Sequence, residues 1–138
     1  MSYYFSTVIE GEFADVVGRV REALKAEGFG VISEIDIQKT LKDKIGVDFR
    51  PYLILGACNP TLAYEALRLE DKVGTMLPCN GVVQQSGAGV EVAAIDPVAS
   101  MQAIGNDQLA AKAAMVADKL RRAIESLQRA DSPEPAAG

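Results

Sequence analysis

The chain is expected to fold as an α+β domain, a five-stranded sheet carrying two long helices on one face. Three observations lead there. Five short stretches are rich in β-branched, aromatic or aliphatic residues. Two long stretches, Phe13–Leu24 and Leu109–Leu127, repeat apolar residues at helical spacing. Glycines and the pairs Asn59-Pro60 and Asp96-Pro97 punctuate the intervals. At 138 residues the chain fits one domain, assigned to residues 1–130, and its 49 % apolar content is enough for a core without a disulfide or metal.

The first strand is read over Tyr3–Ile9. Gly11 opens a helix with Phe13, Val16, Val17, Val20 and Leu24 on one face, and Gly28 stands at the C′ position. The second strand is Phe29–Asp36. Asp36 caps a short helix bearing Ile37, Leu41 and Ile45, which Gly46 ends. Tyr52–Cys58 is the third strand, apolar on both faces and therefore central. Asn59 is an N-cap and Pro60 the first helical residue, whose missing N–H costs nothing there. That helix is expected to run as one piece to Val73, with Leu62, Ala63, Ala66, Leu67 and Val73 inward. Cys79–Gln85, a turn at Gly87-Ala88-Gly89 and Val90–Ile95 form a hairpin. Asp96-Pro97 starts a short turn or helical piece reaching Met101. Asn106 and Asp107 open the last helix, expected to end near Arg129, and residues 131–138 read as a disordered polar tail.

Bulk composition removes several chemistries. The net charge is −5 and the pI about 4.7. No basic footprint for nucleic acid or an anionic membrane exists. No apolar run approaches the ~18 residues of a membrane span, and the start Met1-Ser2-Tyr3-Tyr4-Phe5-Ser6 is not a signal sequence. A cytoplasmic location with reduced thiols is therefore expected. Histidine is absent, which excludes His triads, His metal sites and His pH switches.

The chain is organised around Arg50–Asn80. Both cysteines lie in it, each followed by an asparagine and each where a strand meets a turn. The pieces Gly28-Phe29-Gly30-Val31, Glu34-Ile35-Asp36, Thr40-Leu41-Lys42-Asp43-Lys44, Gly56-Ala57-Cys58-Asn59-Pro60 and Leu77-Pro78-Cys79-Asn80 together resemble the bacterial and archaeal domain of unknown function 302 family, over about Tyr3 to Leu127. The resemblance implies a TATA-binding-protein-like order of one strand, a helix, four strands and a helix, with further helices inserted, and a dimer. It implies no established activity and no cofactor. Relatives usually carry a bulkier apolar residue where this chain has Gly81.

Strands two to five then form an antiparallel meander. The alternative for strands three and four is a parallel β-α-β unit with a right-handed crossover. The choice decides the site. Antiparallel strands bring Cys58 and Cys79 together at one sheet end; parallel strands hold them roughly 20 Å apart. In the antiparallel case Met101 and the helix N-termini near Thr61 and Asp107 reach the same end, an environment that favours a thiolate or an anion. Gly56 and Gly81 each share a strand face with a cysteine and are expected to leave a small hollow beside it.

The candidate ligand-binding residues are Cys58, Asn59, Cys79, Asn80, Gly56, Gly81, Met101 and Tyr52. The plainer alternative is that the cysteines are buried packing in a non-catalytic dimeric module. A soft metal such as Cu(I) could use Cys58, Cys79 and Met101, but two thiols are too few for a closed zinc site and no metal site is expected. Glu34 and Asp36 share a strand face at the far sheet end and read as surface charge and helix cap. Arg50 reads as a surface ion pair with Asp48, Glu34 or Asp36. The third strand is apolar on both faces, and Val82, Val83, Val92 and Ile95 add apolar groups to both sides of the sheet. One face would stay uncovered, so a homodimer through the sheet is expected, with a small molecule or anion as its other partner.

Overall fold

The computed structural model describes residues 2–131. Its elements are β1 (Tyr4–Ile9), α1 (Phe13–Ala26), β2 (Gly30–Asp36), α2 (Ile37–Ile45), β3 (Tyr52–Cys58), α3 (Pro60–Leu69), β4 (Cys79–Ser86), β5 (Gly89–Ile95), α4 (Pro97–Ser100) and α5 (Asp107–Asp131), with 3-10 turns at Asp71–Met76 and Gln102–Ile104. The five strands make one sheet in the order β1-β5-β4-β3-β2, every neighbouring pair antiparallel. The parallel alternative for β3 and β4 is thereby excluded. The order of strand, helix, four strands and helix, with α2, α3 and α4 inserted, is the expected α+β architecture and is compatible with a TATA-binding-protein-like arrangement. The expected tail lies, from residue 132 onward, outside the described residues.

Register sorts the strand residues into two faces. Ala57 lies opposite Cys79, Leu55 opposite Gly81 and Leu53 opposite Val83; Val83 then meets Val92 and Gly81 meets Ala94. This is the inner face. Leu55, Ala57, Val83, Val90 and Val92 are buried there with Val16, Val20 and Leu24 of α1 and Leu120, Ala123, Ile124 and Leu127 of α5. Each fully buried aliphatic side chain contributes about 1.5–3 kcal/mol, so this layer dominates stability. No polar or charged side chain is buried among the described residues. The outer face carries Tyr52, Ile54, Val82, Ala93 and Ile95, all partly exposed.

Local chemistry sets most boundaries. Gly28 (φ +89) ends α1 as a Schellman cap: its N–H donates to Lys25 O and the Phe29 N–H to Leu24 O. Gly46 (φ +69) ends α2 in the left-handed region, with N–H groups 46 and 47 donating to Lys42 O and Leu41 O. Asp36 accepts from Lys39 N at 2.9 Å, as expected of a cap. In the β4–β5 hairpin, Gly87 (φ +61) is the first of two turn residues between Ser86 and Gly89, the position that a type II′ turn reserves for glycine.

Two elements differ from expectation. Helix α1 begins at Phe13, not Gly11, whose φ of +137 lies outside helical space. The helix after Asn59 stops at Leu69, and Val73 reaches its fully buried place through the separate 3-10 turn. Glu70 breaks the run: its backbone is extended and its carboxylate accepts from Lys72 N at 3.1 Å, which starts the next turn.

Candidate functional site

A cleft of about 320 Å³ opens at the sheet end where β3 stops and β4 begins. Its floor is Ala57, Cys58 and Cys79 from the strands, with Leu77 and Pro78 leading into β4. Helix α3 supplies Leu62, Ala63, Ala66 and Leu67 as one wall, and α5 supplies Leu109, Lys112, Ala113 and Val116 as the other. Pro97 and Met101 close the side beyond β5, and Phe29 and Ile32 of the β2 end complete it. The lining is overwhelmingly aliphatic, with Cys58, Cys79, Asn59, Met101 and Lys112 as its heteroatom-bearing side chains of note.

Antiparallel pairing brings the cysteines together. Cys79 lies opposite Ala57, and Cys58 is the next residue, opposite Gly30. Strict alternation would turn Cys58 to the outer face with Gly56. It lines the cleft all the same, because β3 ends there and the chain swings into α3. Both thiols are free. Burial pushes the Cys79 thiol up to about 11, and neighbouring Cys58 adds to the rise. This opposes the thiolate-favouring environment expected from the helix ends.

At each of those ends one backbone N–H is taken by the helix's own cap. Asn59 Oδ1 accepts from Leu62 N at 3.1 Å and Asn106 Oδ1 from Leu109 N at 2.9 Å. Thr61 and Asp107 are exposed and take no part in the cleft lining. The cation in the lining, Lys112, is paired with Glu65 of α3 at 2.6 Å across the cleft mouth. The space these groups bound is mostly aliphatic in its lining.

The Asn59 Nδ2 sits 2.9 Å from where a Cβ on Gly28 would stand. Gly28 thus both ends α1 and makes room for the amide beside the cleft.

The two strand glycines behave differently from expectation. Gly56 leaves no hollow: a Cβ there would strike the Ser33 hydroxyl and come within 2.6 Å of Pro78 Cγ. The missing side chain lets Pro78 lie over β3. Gly81 does share the inner face with Cys79, and a Cβ there would meet nothing nearer than Ala93 O at 3.5 Å. Neither glycine lines the cleft.

Tyr52 and Asn80 fall on the outer sheet face, in a shallow depression shared with Tyr3, Tyr4, Val82 and Ile95. Tyr52 is at the opposite end of β3 from Cys58. Of the eight candidate residues, Cys58, Asn59, Cys79 and Met101 are brought together. Arg50 pairs with none of the expected carboxylates; its Nε donates to Gln84 Oε1 at 2.9 Å and its guanidinium lies 4.4 Å from the Phe49 ring centroid. Glu34 pairs with Arg21, at the far end of the sheet.

Sequence reasoning missed Ile32, Leu77, Pro97 and Lys112. Ile32 is the extra residue of a β-bulge, since Val31 lies opposite Ala57 and Ser33 opposite Gly56. The bulge aims an exposed isoleucine at the cleft rim, and alternation alone gave no sign of it. Lys112 was legible only as a helix residue; the pairing that places it depends on where α3 packs.

Among the described residues no helix is long and apolar enough to cross a membrane. No curated protein matches the chain. An uncharacterized conserved DUF302 protein from Bacillus stearothermophilus, known from its crystal structure, is 28 % identical, with a TM-score of 0.85 over 91 % of this chain and 98 % of that one. The family described as Domain of unknown function DUF302 matches residues 5–127, nearly the whole folded chain, and the chain belongs to it.

Proposed function

We propose that the protein binds a small, uncharged, largely apolar molecule in the cleft between α3 and α5. The observation that carries this reading is the cleft itself, about 320 Å³ of aliphatic lining at the sheet end. It lies within the size range of small-molecule sites and has a few polar groups at fixed places. The choice of a neutral ligand over an anion rests on the aliphatic lining and on the Lys112–Glu65 pair, which leaves the mouth close to neutral. The lining holds no carboxylate, so acid–base catalysis has no obvious base there.

A neutral, environment-sensitive apolar dye tests this. Saturable one-to-one binding is expected. Ala63→Phe, which fills the cleft from the partly exposed side of α3, should weaken binding at least about tenfold, a loss of ~1.4 kcal/mol. Equal affinity in that variant, or no saturable binding, would sink the reading.

A second reading is a homodimer through the outer sheet face, in which the protein is an interaction module. Tyr4, Val8 and Ile35 are exposed on that face beside the partly exposed Tyr52, Ile54 and Val82. The polar groups at its centre already satisfy each other, Gln84 Nε2 donating to Glu91 Oε1 at 2.9 Å while Gln84 Oε1 accepts from Arg50. A surface that is apolar, internally satisfied and without a basic patch suits a second copy of itself.

A further inference from the structure

Three sulfur-bearing side chains of separate elements line one cleft: Cys58 at the end of β3, Cys79 at the start of β4 and Met101 after α4. We propose that the cleft holds a binding site for a monovalent soft metal ion of the Cu(I) class, with the two cysteine sulfurs as thiolate ligands and the Met101 thioether as the third donor. The inference goes beyond the apolar-ligand reading and does not rest on it.

The donor set decides the class of ion. Thiolate and thioether sulfur select Cu(I) over hard cations, which need several oxygen ligands. The lining offers no carboxylate and no imidazole. Among the described residues no cluster of three His, Cys, Asp or Glu exists, so a closed zinc site has too few ligands. Cu(I) is satisfied by two or three soft donors, and the aliphatic lining limits the water that would compete with them. The antiparallel register supplies the approach: the Ala57–Cys79 pair makes Cys58 and Cys79 near neighbours on adjacent strands.

Binding is M⁺ + 2 Cys–SH → [M(S–Cys)₂]⁻ + 2 H⁺. Two S–H bonds break, two M–S bonds form, and no electron is transferred. The single negative charge left at the site faces the Lys112 ammonium in the same lining, which shares itself with Glu65.

Anaerobic titration of the full chain with Cu(I), against a competing chelator of known affinity, tests the site. One ion per chain is expected, with a near-ultraviolet thiolate-to-copper band and two protons released. Cys58→Ala and Cys79→Ala should each lose more than the about 10–100-fold that changes to a second-shell partner cost, and Met101→Leu about tenfold. Thermal melting checks that each variant folds; should Cys79→Ala fail, the partly exposed Cys58 and Met101 variants carry the test. Failure to take Cu(I) from the chelator, tighter binding of Zn(II), or capture undiminished in the Cys58→Ala/Cys79→Ala double variant would overturn the proposal. Dye binding measured in the same variants separates the outcomes, because the apolar reading predicts that it survives loss of the sulfurs.

Discussion

Cys79 shows how one side chain reports its surroundings. Its thiol moves from an ordinary value of 9.0 to about 11 because the charged form would sit in hydrocarbon beside a second sulfur. The folded state therefore keeps a proton that the unfolded chain gives up earlier. Stability from this group is fully present below pH 9 and is lost as pH rises through about 11. The two-unit gap corresponds to at most about 3 kcal/mol. Denaturant titrations from pH 8 to 11 should show a decline that is smaller in Cys79→Ala, the difference between the two proteins isolating Cys79 from lysines and tyrosines that titrate nearby. Parallel curves would show that Cys79 is not buried as described.

Gly56 and Gly81 make a second contrast at this scale. They lie on adjacent strands two residues from Cys58 and Cys79, yet only one is required by its neighbours. Gly56→Ala drives a methyl into the Pro78 ring and Ser33, an overpacking that costs about 1–3 kcal/mol. Gly81→Ala adds a methyl at ordinary contact distance and removes a flexible strand residue, so it should stabilise by about 0.5–1 kcal/mol. Urea midpoints read both. A neutral Gly56→Ala would mean that Pro78 does not press on β3.

At the scale of elements, helix ends were the most legible feature, because a cap is written within a few residues. Asp36, Asn59 and Asp96 each accept from a backbone N–H at the start of the helix they precede. Each such bond contributes about 1 kcal/mol. Helix α3 was misread where a second cap signal, Glu70-Asp71, lay inside an apolar pattern. The burial of Val73 at helical spacing hid the break. The bulge at Ile32 was hidden for the opposite reason: Val31, Ile32 and Ile35 are all apolar, so no alternation existed for it to disturb. Both errors matter to the site, since the end of α3 sets the cleft wall and the bulge its rim.

For the whole molecule, one sheet face is covered by α1 and α5 and the other is not. Helix α2 buries none of its residues. The proposed homodimer predicts concentration-dependent association, with Val82→Lys at the centre of the outer face shifting the protein to monomer. Sedimentation at micromolar concentration decides it. A single species at 14.7 kDa that persists as concentration is raised would refute the dimer.

The amino-acid pattern by itself determined the α+β class, the five strands, the placement of caps and the residues of the inner helix faces. Each of these depends on spacing within one element, where period and propensity act over a few residues. It also singled out the end of β3 and the start of β4 through the repeated Cys-Asn. Tertiary structure decided the rest. Antiparallel register brought Cys58, Cys79 and Met101 to one cleft and sent Tyr52 and Asn80 to the other face. Packing of α3 against α5 turned a thiol corner into a hydrocarbon cleft and paired Lys112 with Glu65. These outcomes depend on contacts between residues far apart in the chain, which no local period encodes; a single extra residue in β2 or a helix one turn shorter changes which side chains meet.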